Sequence, residues 1–310
     1  MKLKKLLVLA LGAAGLSAVA FPAMALPLML EGAGGGGLNP WAMIANGGKA
    51  FTPAVFGTYV TTNHYNLYSV GANASISKYA EIYVSHQYLG LPESLTSTLN
   101  LGASPAVGIL PANVANRNNI EQSIVGAKFQ VYPGHGAIPM LAVGFNYHSA
   151  NSAIPNALTA KASGADYYVA ATGIYPFAGS NLLLDGDVYV TRSNYLGLLG
   201  QGGSGHGGYT VQGGVSVGYF VAKDVAVGAE WRSFPTNNLE AAQSYLISKG
   251  LAGTDLHQSS WYDGWVAYMP NPHLSVVAAF VSLGNMVNIP ATGSINSNQD
   301  GFYLNLNTTF

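Results

Sequence analysis

The chain has 310 residues, of which 8% are charged and 49% are hydrophobic, whereas a soluble domain has about 25% charged residues. Its 12 basic and 13 acidic residues give a formal net charge of -1, so no basic excess is available for binding nucleic acid. The absence of cysteine excludes disulfides, thiolate nucleophiles and cysteine-ligated metals.

The N-terminus has the order of a secretory signal. Three lysines among the first five residues precede an apolar run, and Ala23-Met24-Ala25 supplies a small-residue cleavage step. The apolar run is shorter than the roughly 20 residues that a membrane-spanning helix needs. We therefore expect a signal peptide over residues 1–25, with cleavage after Ala25.

The next segment, residues 26–52, is too rich in glycine to begin as an ordinary strand. Two positions are open to it: inside a barrel, where it would narrow the lumen, or in the wall as an extra strand. The candidates for a luminal plug are Gly34, Gly35, Gly36, Gly37 and Trp41.

From residue 53 onward, polar and apolar residues alternate with the period of two that is typical of strands. The alternation predicts an all-β chain, a transmembrane antiparallel up-and-down β-barrel of about twelve strands over residues 53–310. If residues 40–45 also pair, the count becomes about fourteen. Short connections such as 77–79 alternate with long ones such as 90–120, as do the periplasmic turns and external loops of such barrels.

Charged residues fall on the strand face that we assign to the lumen, because a Lys or Arg facing lipid costs about 2–4 kcal/mol at mid-depth. Two interpretations are open: a hydrogen-bonded polar lumen that keeps the barrel rigid, which we favour, or a set of side chains that bind cations and select solutes. Seven histidines show no metal-ligand spacing, so we expect no metal and no cofactor. The lumen and selectivity candidates are Lys128, Asp166, Asp185, Asp187, Glu230, Arg232 and Asp263.

The last strand alternates strictly, with Phe302, Leu304, Leu306 and Phe310 on one face. A final strand that ends in Phe resembles those of bacterial outer-membrane barrels, in which it carries the signal for the barrel-assembly machinery. Thr308 stands where a second aromatic is usual. The resemblance implies the outer membrane of a Gram-negative bacterium, and partners that include membrane lipid, lipopolysaccharide and the assembly machinery.

Three further motifs were considered for binding or catalysis, and none of them indicates a catalytic site. Residues 200–205 match G-x-G-x-x-G but lead into a strand instead of a helix, so they are interpreted as an external loop. His148 and Ser149 are adjacent and therefore point to opposite faces of a strand, which separates a nucleophile from its base; His86 fails for the same reason. Trp261 and Trp265 share a face, either as a luminal aromatic platform or, as we prefer, in an external aromatic girdle.

Several stretches together resemble an uncharacterised family of proteobacterial exported proteins, domain of unknown function 3034. The resemblance implies an exported, barrel-like protein and supplies no catalytic residues. The stretches are residues 31–42, 226–232, 261–263, 283–285 and 301–304.

The functional hypothesis that follows is a passive channel or porin-like pore for small solutes. Two alternatives stay open: a barrel enzyme acting on outer-membrane lipid, and a structural or adhesive barrel that binds through its external loops. Enzymatic activity is the less favoured, because no catalytic constellation emerges from the sequence.

Overall fold

The computed structural model describes residues 25–45, 51–93, 95, 119–151, 160–203, 208–234, 239–290 and 298–310. The predicted signal peptide lies outside the described residues, apart from Ala25. No helix in the described part of the chain is both long enough and apolar enough to cross a membrane.

Twelve antiparallel strands form one closed sheet, in which each strand pairs with its neighbours in sequence and β1 pairs with β12. The predicted all-β barrel is confirmed, and the fourteen-strand alternative is wrong because residues 40–45 join no strand of the wall. The strands are β1 Thr52–Thr62, β2 Asn66–Ser77, β3 Ala80–Gly90, β4 Asn119–Tyr132, β5 Met140–Ala150, β6 Ser163–Phe177, β7 Ser180–Thr191, β8 Thr210–Ala222, β9 Val225–Arg232, β10 Trp261–Asn271, β11 Leu274–Ser282 and β12 Asp300–Thr309.

Short turns, such as the one at residues 178 and 179, join the strands at one end of the barrel, called here the turn end. The long connections leave from the opposite, loop end. There the structure describes a short 3-10 helix at Tyr195–Gly197 and one α-helix, α1, at Glu240–Ser248. Ala242 and Leu246 of α1 are buried, so this helix packs its apolar side inward.

The outer surface of the barrel is apolar, because alternate residues of every strand point outward and most of them are valine, isoleucine, leucine or aromatic. Such an exposed apolar surface is what a bilayer requires of a barrel. Tyrosines mark its rim near the loop end, and Tyr59 and Tyr68 stack there with ring centroids 4.8 Å apart. The exposed apolar side chains include Val55, Val70, Ile82, Val84, Val125, Val169, Val188, Val215, Val266 and Leu304.

The interior has three layers between the two ends. An apolar cluster fills the loop end and includes Leu67, Leu89 and Trp261. Charged and amide side chains occupy the middle and are almost completely buried. The same apolar cluster continues past the charged side chains to the turn end, where Trp41, Trp265 and Met269 surround a cavity of about 20 Å³.

Candidate functional site

Residues 25–45, called here the luminal segment, lie inside the barrel. Nearly all of them are buried, including Glu31, Asn39 and Trp41. Single bridges from Leu28 to Gly34 and from Gly35 to Pro40 fold the segment back on itself. The segment is therefore an irregular loop whose backbone groups need partners from the wall, since a buried unpaired peptide group is costly.

Amide side chains of the last strand hold the beginning of the luminal segment. Asn307 Nδ2 donates to the Leu26 carbonyl at 2.7 Å, and Asn305 Nδ2 donates to the Leu28 carbonyl at 3.1 Å. Both asparagines are on the inward face of β12, opposite its apolar outer residues. The final strand thus has apolar side chains on its outer face and, on its inner face, asparagine side chains that donate to backbone carbonyls of the luminal segment.

One ion pair clamps the segment from strands β3 and β4. Glu81 and Lys128 are cross-strand neighbours, completely buried, with Nζ and Oε1 3.0 Å apart. Lys128 Nζ also donates to the carbonyls of Gly34 and Trp41, at 2.6 and 2.9 Å. Glu81 accepts from the Gly34 and Ala45 amides at 2.8 and 2.6 Å. Each member of the pair therefore holds backbone groups of the luminal segment.

A second charged cluster surrounds Glu31, the acidic residue of the luminal segment. Arg232 Nη1 lies 3.3 Å from Glu31 Oε2 and donates to the Leu38 carbonyl at 3.0 Å. The Arg232 guanidinium stacks on the Tyr189 ring, 3.9 Å from its centroid. His148 Nε2 lies 3.2 Å from Asp166 Oδ2 and 3.6 Å from Glu31 Oε1. The Glu31 carboxylate therefore connects His148 of β5 with Arg232 of β9, and His148 extends the cluster to Asp166 of β6.

Glu230 fixes the tip of the luminal segment. Its Oε2 accepts from the Leu38 amide at 2.7 Å, and its Oε1 accepts from the Ser216 hydroxyl at 2.6 Å. Asp263 is its cross-strand neighbour on β10. A Cβ added at Gly36 would overlap the Glu230 carboxylate. A side chain at position 36 would therefore require the Glu230 carboxylate to move.

Asp185 and Asp187 lie on the inward face of β7. Thr172 donates its hydroxyl to Asp185 and accepts from the Ala42 amide, which connects Asp185 to the luminal segment. Neither carboxylate oxygen of Asp187 has a hydrogen-bond partner among the described residues, although the side chain is almost completely buried. Asp263 shares this feature, because both of its carboxylate oxygens also lack a hydrogen-bond partner among the described residues.

All seven predicted lumen residues lie inside the barrel, and the structure joins them to the luminal segment in different degrees. Lys128, Glu230 and Arg232 contact it directly. Asp166 and Asp185 reach it through His148 and Thr172. Their role in selecting solutes stays a prediction, as does the plugging role of the glycines and Trp41.

Sequence reasoning missed Glu31, Glu81 and His148 as members of this site. The signal for Glu81 was present, because the alternation of β3 places it on the same face as Ser85 and Gln87. Glu31 had no such signal, since it lies in a segment without periodicity.

The preference for an external girdle at Trp261 and Trp265 was wrong. Both side chains are buried in the lumen, where Trp261 packs on Phe234 and Trp265 on Trp41, with ring centroids 4.6 and 6.1 Å apart. They share the inward face of Asp263, while Tyr262 points outward and is exposed. Period-two alternation decides the side, and it outweighs the general preference of tryptophan for interfaces.

The two halves of the hydrolase pair considered from the sequence lie on opposite sides of the wall. His148 is buried in the lumen, whereas Ser149 points outward and is exposed. The hydroxyl therefore has no access to that imidazole. His86 also faces outward, with its Nδ1 3.1 Å from the Ser123 hydroxyl.

Gly36→Val is expected to lower the free energy of unfolding by about 1–3 kcal/mol, because the new side chain displaces the Glu230 carboxylate. The measurement is the urea midpoint of the barrel folded in lipid vesicles. Gly57→Val is the matched control, since a Cβ at Gly57 meets no atom within 4 Å. Equal midpoints for the two variants would show that the segment does not press against Glu230.

Solved structures with similar folds are outer-membrane proteins of low sequence identity. A KdgM porin has a TM-score of 0.45 at 8% identity, covering 83% of this chain and 99% of its own. The COG4313 outer membrane channel from Pseudomonas putida F1 has 0.42 at 10%, covering 95% and 98%. The outer membrane phospholipase dimer from Salmonella typhi has 0.38 at 9%, covering 87% and 93%.

The sequence comparisons give one family. No curated protein has a significantly similar sequence. The model of the family described as "Protein of unknown function (DUF3034)" matches residues 27–307. This is the family that the chain resembles in its glycine-rich segment and its last strands, and the match spans almost all of the barrel. The chain therefore belongs to the DUF3034 family of proteins of unknown function.

Proposed function

We propose that this protein is an outer-membrane channel for small solutes, and that the luminal segment closes it in the conformation described here. The observation that carries the proposal is that a twelve-strand wall holds the 20 residues from Leu26 to Ala45 of its own chain in its lumen. Barrels of about eight strands fill with side chains alone, whereas 16 to 18 strands leave a wide pore. Twelve strands enclose more space than side chains fill, and the segment occupies part of that space.

The contacts between segment and wall suit a reversible closure. Many of them are polar: wall side chains bind backbone groups of the segment, as Lys128, Glu230 and Asn305 do. Leu30, Leu38 and Trp41 of the segment add apolar packing. Buried ion pairs contribute little net stability compared with apolar packing, because both ions must be desolvated. A segment held this way exchanges its hydrogen bonds for those of water when it leaves.

The lumen left behind would favour cations. Its wall carries more acidic than basic side chains among the described residues, and Asp187 has both oxygens unpaired. Rings of carboxylates select cations in channels. The acids are Glu81, Asp166, Asp185, Asp187, Glu230 and Asp263, and the bases are Lys128 and Arg232, with His148 between them.

The cellular setting that we propose follows the sequence expectations. A signal peptide directs export and is removed by cleavage after Ala25, and the final strand, with Phe302 and Phe310, is read by the barrel-assembly machinery. Lipopolysaccharide surrounds the loop end, where Tyr59 and Tyr68 form part of the aromatic rim. Labelling of loop residues on intact cells would test this orientation.

Lys128→Met is expected to raise the open probability of the channel in planar bilayers at least about tenfold, since losing about 1.4 kcal/mol of clamp energy changes an equilibrium tenfold. The variant frees the Gly34 and Trp41 carbonyls and leaves Glu81 without its cation. Lys78→Met is the control, because Lys78 is exposed at a turn. The measurement is single-channel recording of both variants and the native chain.

Two outcomes would count against the channel. If no variant conducts in bilayers in which each barrel is shown to be folded, the proposal fails. If Lys128→Met and Lys78→Met have the same open probability, the clamp does not control closure. Liposome swelling in a neutral sugar gives an independent measure of the same opening.

A further inference from the structure

A cavity of about 50 Å³, called here the loop-end cavity, lies between the luminal segment and the barrel wall. This volume is several times the roughly 10–15 Å³ that one water needs. Leu30 and Leu38 of the segment form one side, and Leu67 and Leu89 of the wall form part of the other. It lies on the loop side of the charged clusters, within the apolar layer.

The lining of the cavity is almost wholly apolar. None of the described residues that line it is charged, and Thr58, Thr62 and Asn305 are its most polar members. Ligand pockets for small hydrophobic molecules have this character: a concave apolar wall with a few polar groups that fix orientation. A charged solute would be poorly solvated here, because no counter-ion faces it.

Side chains of the loops close the cavity from above. Leu198 follows the short 3-10 helix, and Leu283 and Met286 follow β11; all three line the cavity. They belong to the same buried cluster as Leu246 of α1. Methionine at such a position adapts to ligands of different shape, because its unbranched side chain has three rotatable bonds.

Two hydrogen-bond donors among the lining residues are unpaired. The Trp261 indole nitrogen and the Tyr65 hydroxyl are buried without a partner among the described residues. Burial raises the pKa of Tyr65 above its ordinary value, so its hydroxyl stays protonated and able to donate. Buried donors normally have partners, and an unpaired one in a ligand-sized cavity points to an acceptor supplied by a ligand.

We infer that the loop-end cavity binds a small, uncharged hydrophobic molecule with one hydrogen-bond acceptor, such as a short-chain alcohol or ketone. The apolar walls take the hydrocarbon part, and Trp261 or Tyr65 donates to the oxygen. The binding site stands on its own geometry; its place on a transport route rests on the proposed channel. Molecules of this class would enter from the loop end and bind on the loop side of the charged clusters.

The test uses 4-bromobutanol, whose bromine quenches tryptophan fluorescence on contact, with the full chain folded in lipid nanodiscs. We expect saturable quenching above the linear background of partition into lipid, and we expect Trp261→Phe to remove the saturable part. With 1-bromobutane, which lacks the acceptor, the dissociation constant should be at least about tenfold higher, because the donors stay unpaired.

A pair of matched loop variants tests the location. Leu198→Asp puts a charge on the cavity lining and should raise the dissociation constant at least about tenfold. Leu246→Asp places the same charge in the same buried cluster but away from the lining, and should leave the dissociation constant within about twofold. Circular dichroism establishes that both barrels are folded.

The outcomes separate this site from the channel. Linear quenching of the native chain, or equal loss of binding in Leu198→Asp and Leu246→Asp, would overturn the cavity as a site. Saturable binding by a barrel that never conducts would keep the site and reject the channel. Conduction without saturable quenching would keep the channel and reject the cavity as a binding site.

Discussion

Deleting residues 26–45 is expected to turn a mostly closed barrel into a constantly open one. The deletion removes the luminal segment from inside the wall, and a twelve-strand lumen does not refill with side chains. We expect mean conductance per folded barrel to rise at least about tenfold over the native chain, because the obstruction is the segment itself. Planar-bilayer recording at several voltages measures it.

The same deletion should reveal the charge of the lumen. Under a salt gradient, the reversal potential should show preference for cations, since acidic side chains outnumber basic ones on the described wall. Adding Asp185→Asn and Asp187→Asn to the deletion should reduce that preference. Asp224→Asn, at a half-exposed turn position, should leave it unchanged. An anion preference would contradict the lumen assignment.

Arg232→Met is expected to lower the free energy of unfolding by about 3–5 kcal/mol, the cost of breaking a buried ion pair from one side. The substitution keeps most of the apolar volume but leaves Glu31 without its cation, and it removes the bond to the Leu38 carbonyl. Equilibrium unfolding of the barrel in lipid vesicles measures the change. Lys223→Met, at an exposed turn, is the control and should change stability by less than about 0.5 kcal/mol.

A double-mutant cycle assigns the loss to the pair. Glu31→Gln removes the charge that Arg232 compensates, so the double variant should be more stable than the two single changes predict when summed. A coupling of about 0.5–3 kcal/mol is expected for residues in contact. Strict additivity would mean that Arg232 acts through Tyr189 and the neighbouring acids instead of through the luminal segment.

Alternation predicted the wall of this protein well. The last strand was expected to alternate with Phe302, Leu304 and Leu306 on one face, and it runs from Asp300 to Thr309 with those three side chains exposed. The physical reason is that lipid and lumen impose opposite polarity on successive residues, so the period is readable in one strand alone. Alternation marks the strand ends less sharply, since β6 pairs with β5 as far as Ser163.

The interior of the site was only partly predictable. Inward charges such as Asp185 could be assigned by period, but their partners could not. Arg232 and Glu31 are 201 positions apart in the chain, and nothing in either neighbourhood specifies the other. The sequence shows that the segment around Gly36 is rich in glycine, but it does not show the reason at this position. The reason is that the Glu230 carboxylate lies against Gly36. Contacts across a closed lumen depend on all twelve strands at once.

The amide bonds from Asn305 and Asn307 to Leu28 and Leu26 bear on how the barrel folds. They join residues 277 and 281 positions apart, the first described part of the chain to its final strand. Such non-local contacts form slowly, because a very long loop must close before they stabilise anything. The two ends meet where β1 pairs with β12 in the closed barrel. Seam closure between β1 and β12 and the seating of the N-terminal residues are therefore one late event, and a barrel that closed without them would keep the luminal asparagines of β12 unpaired.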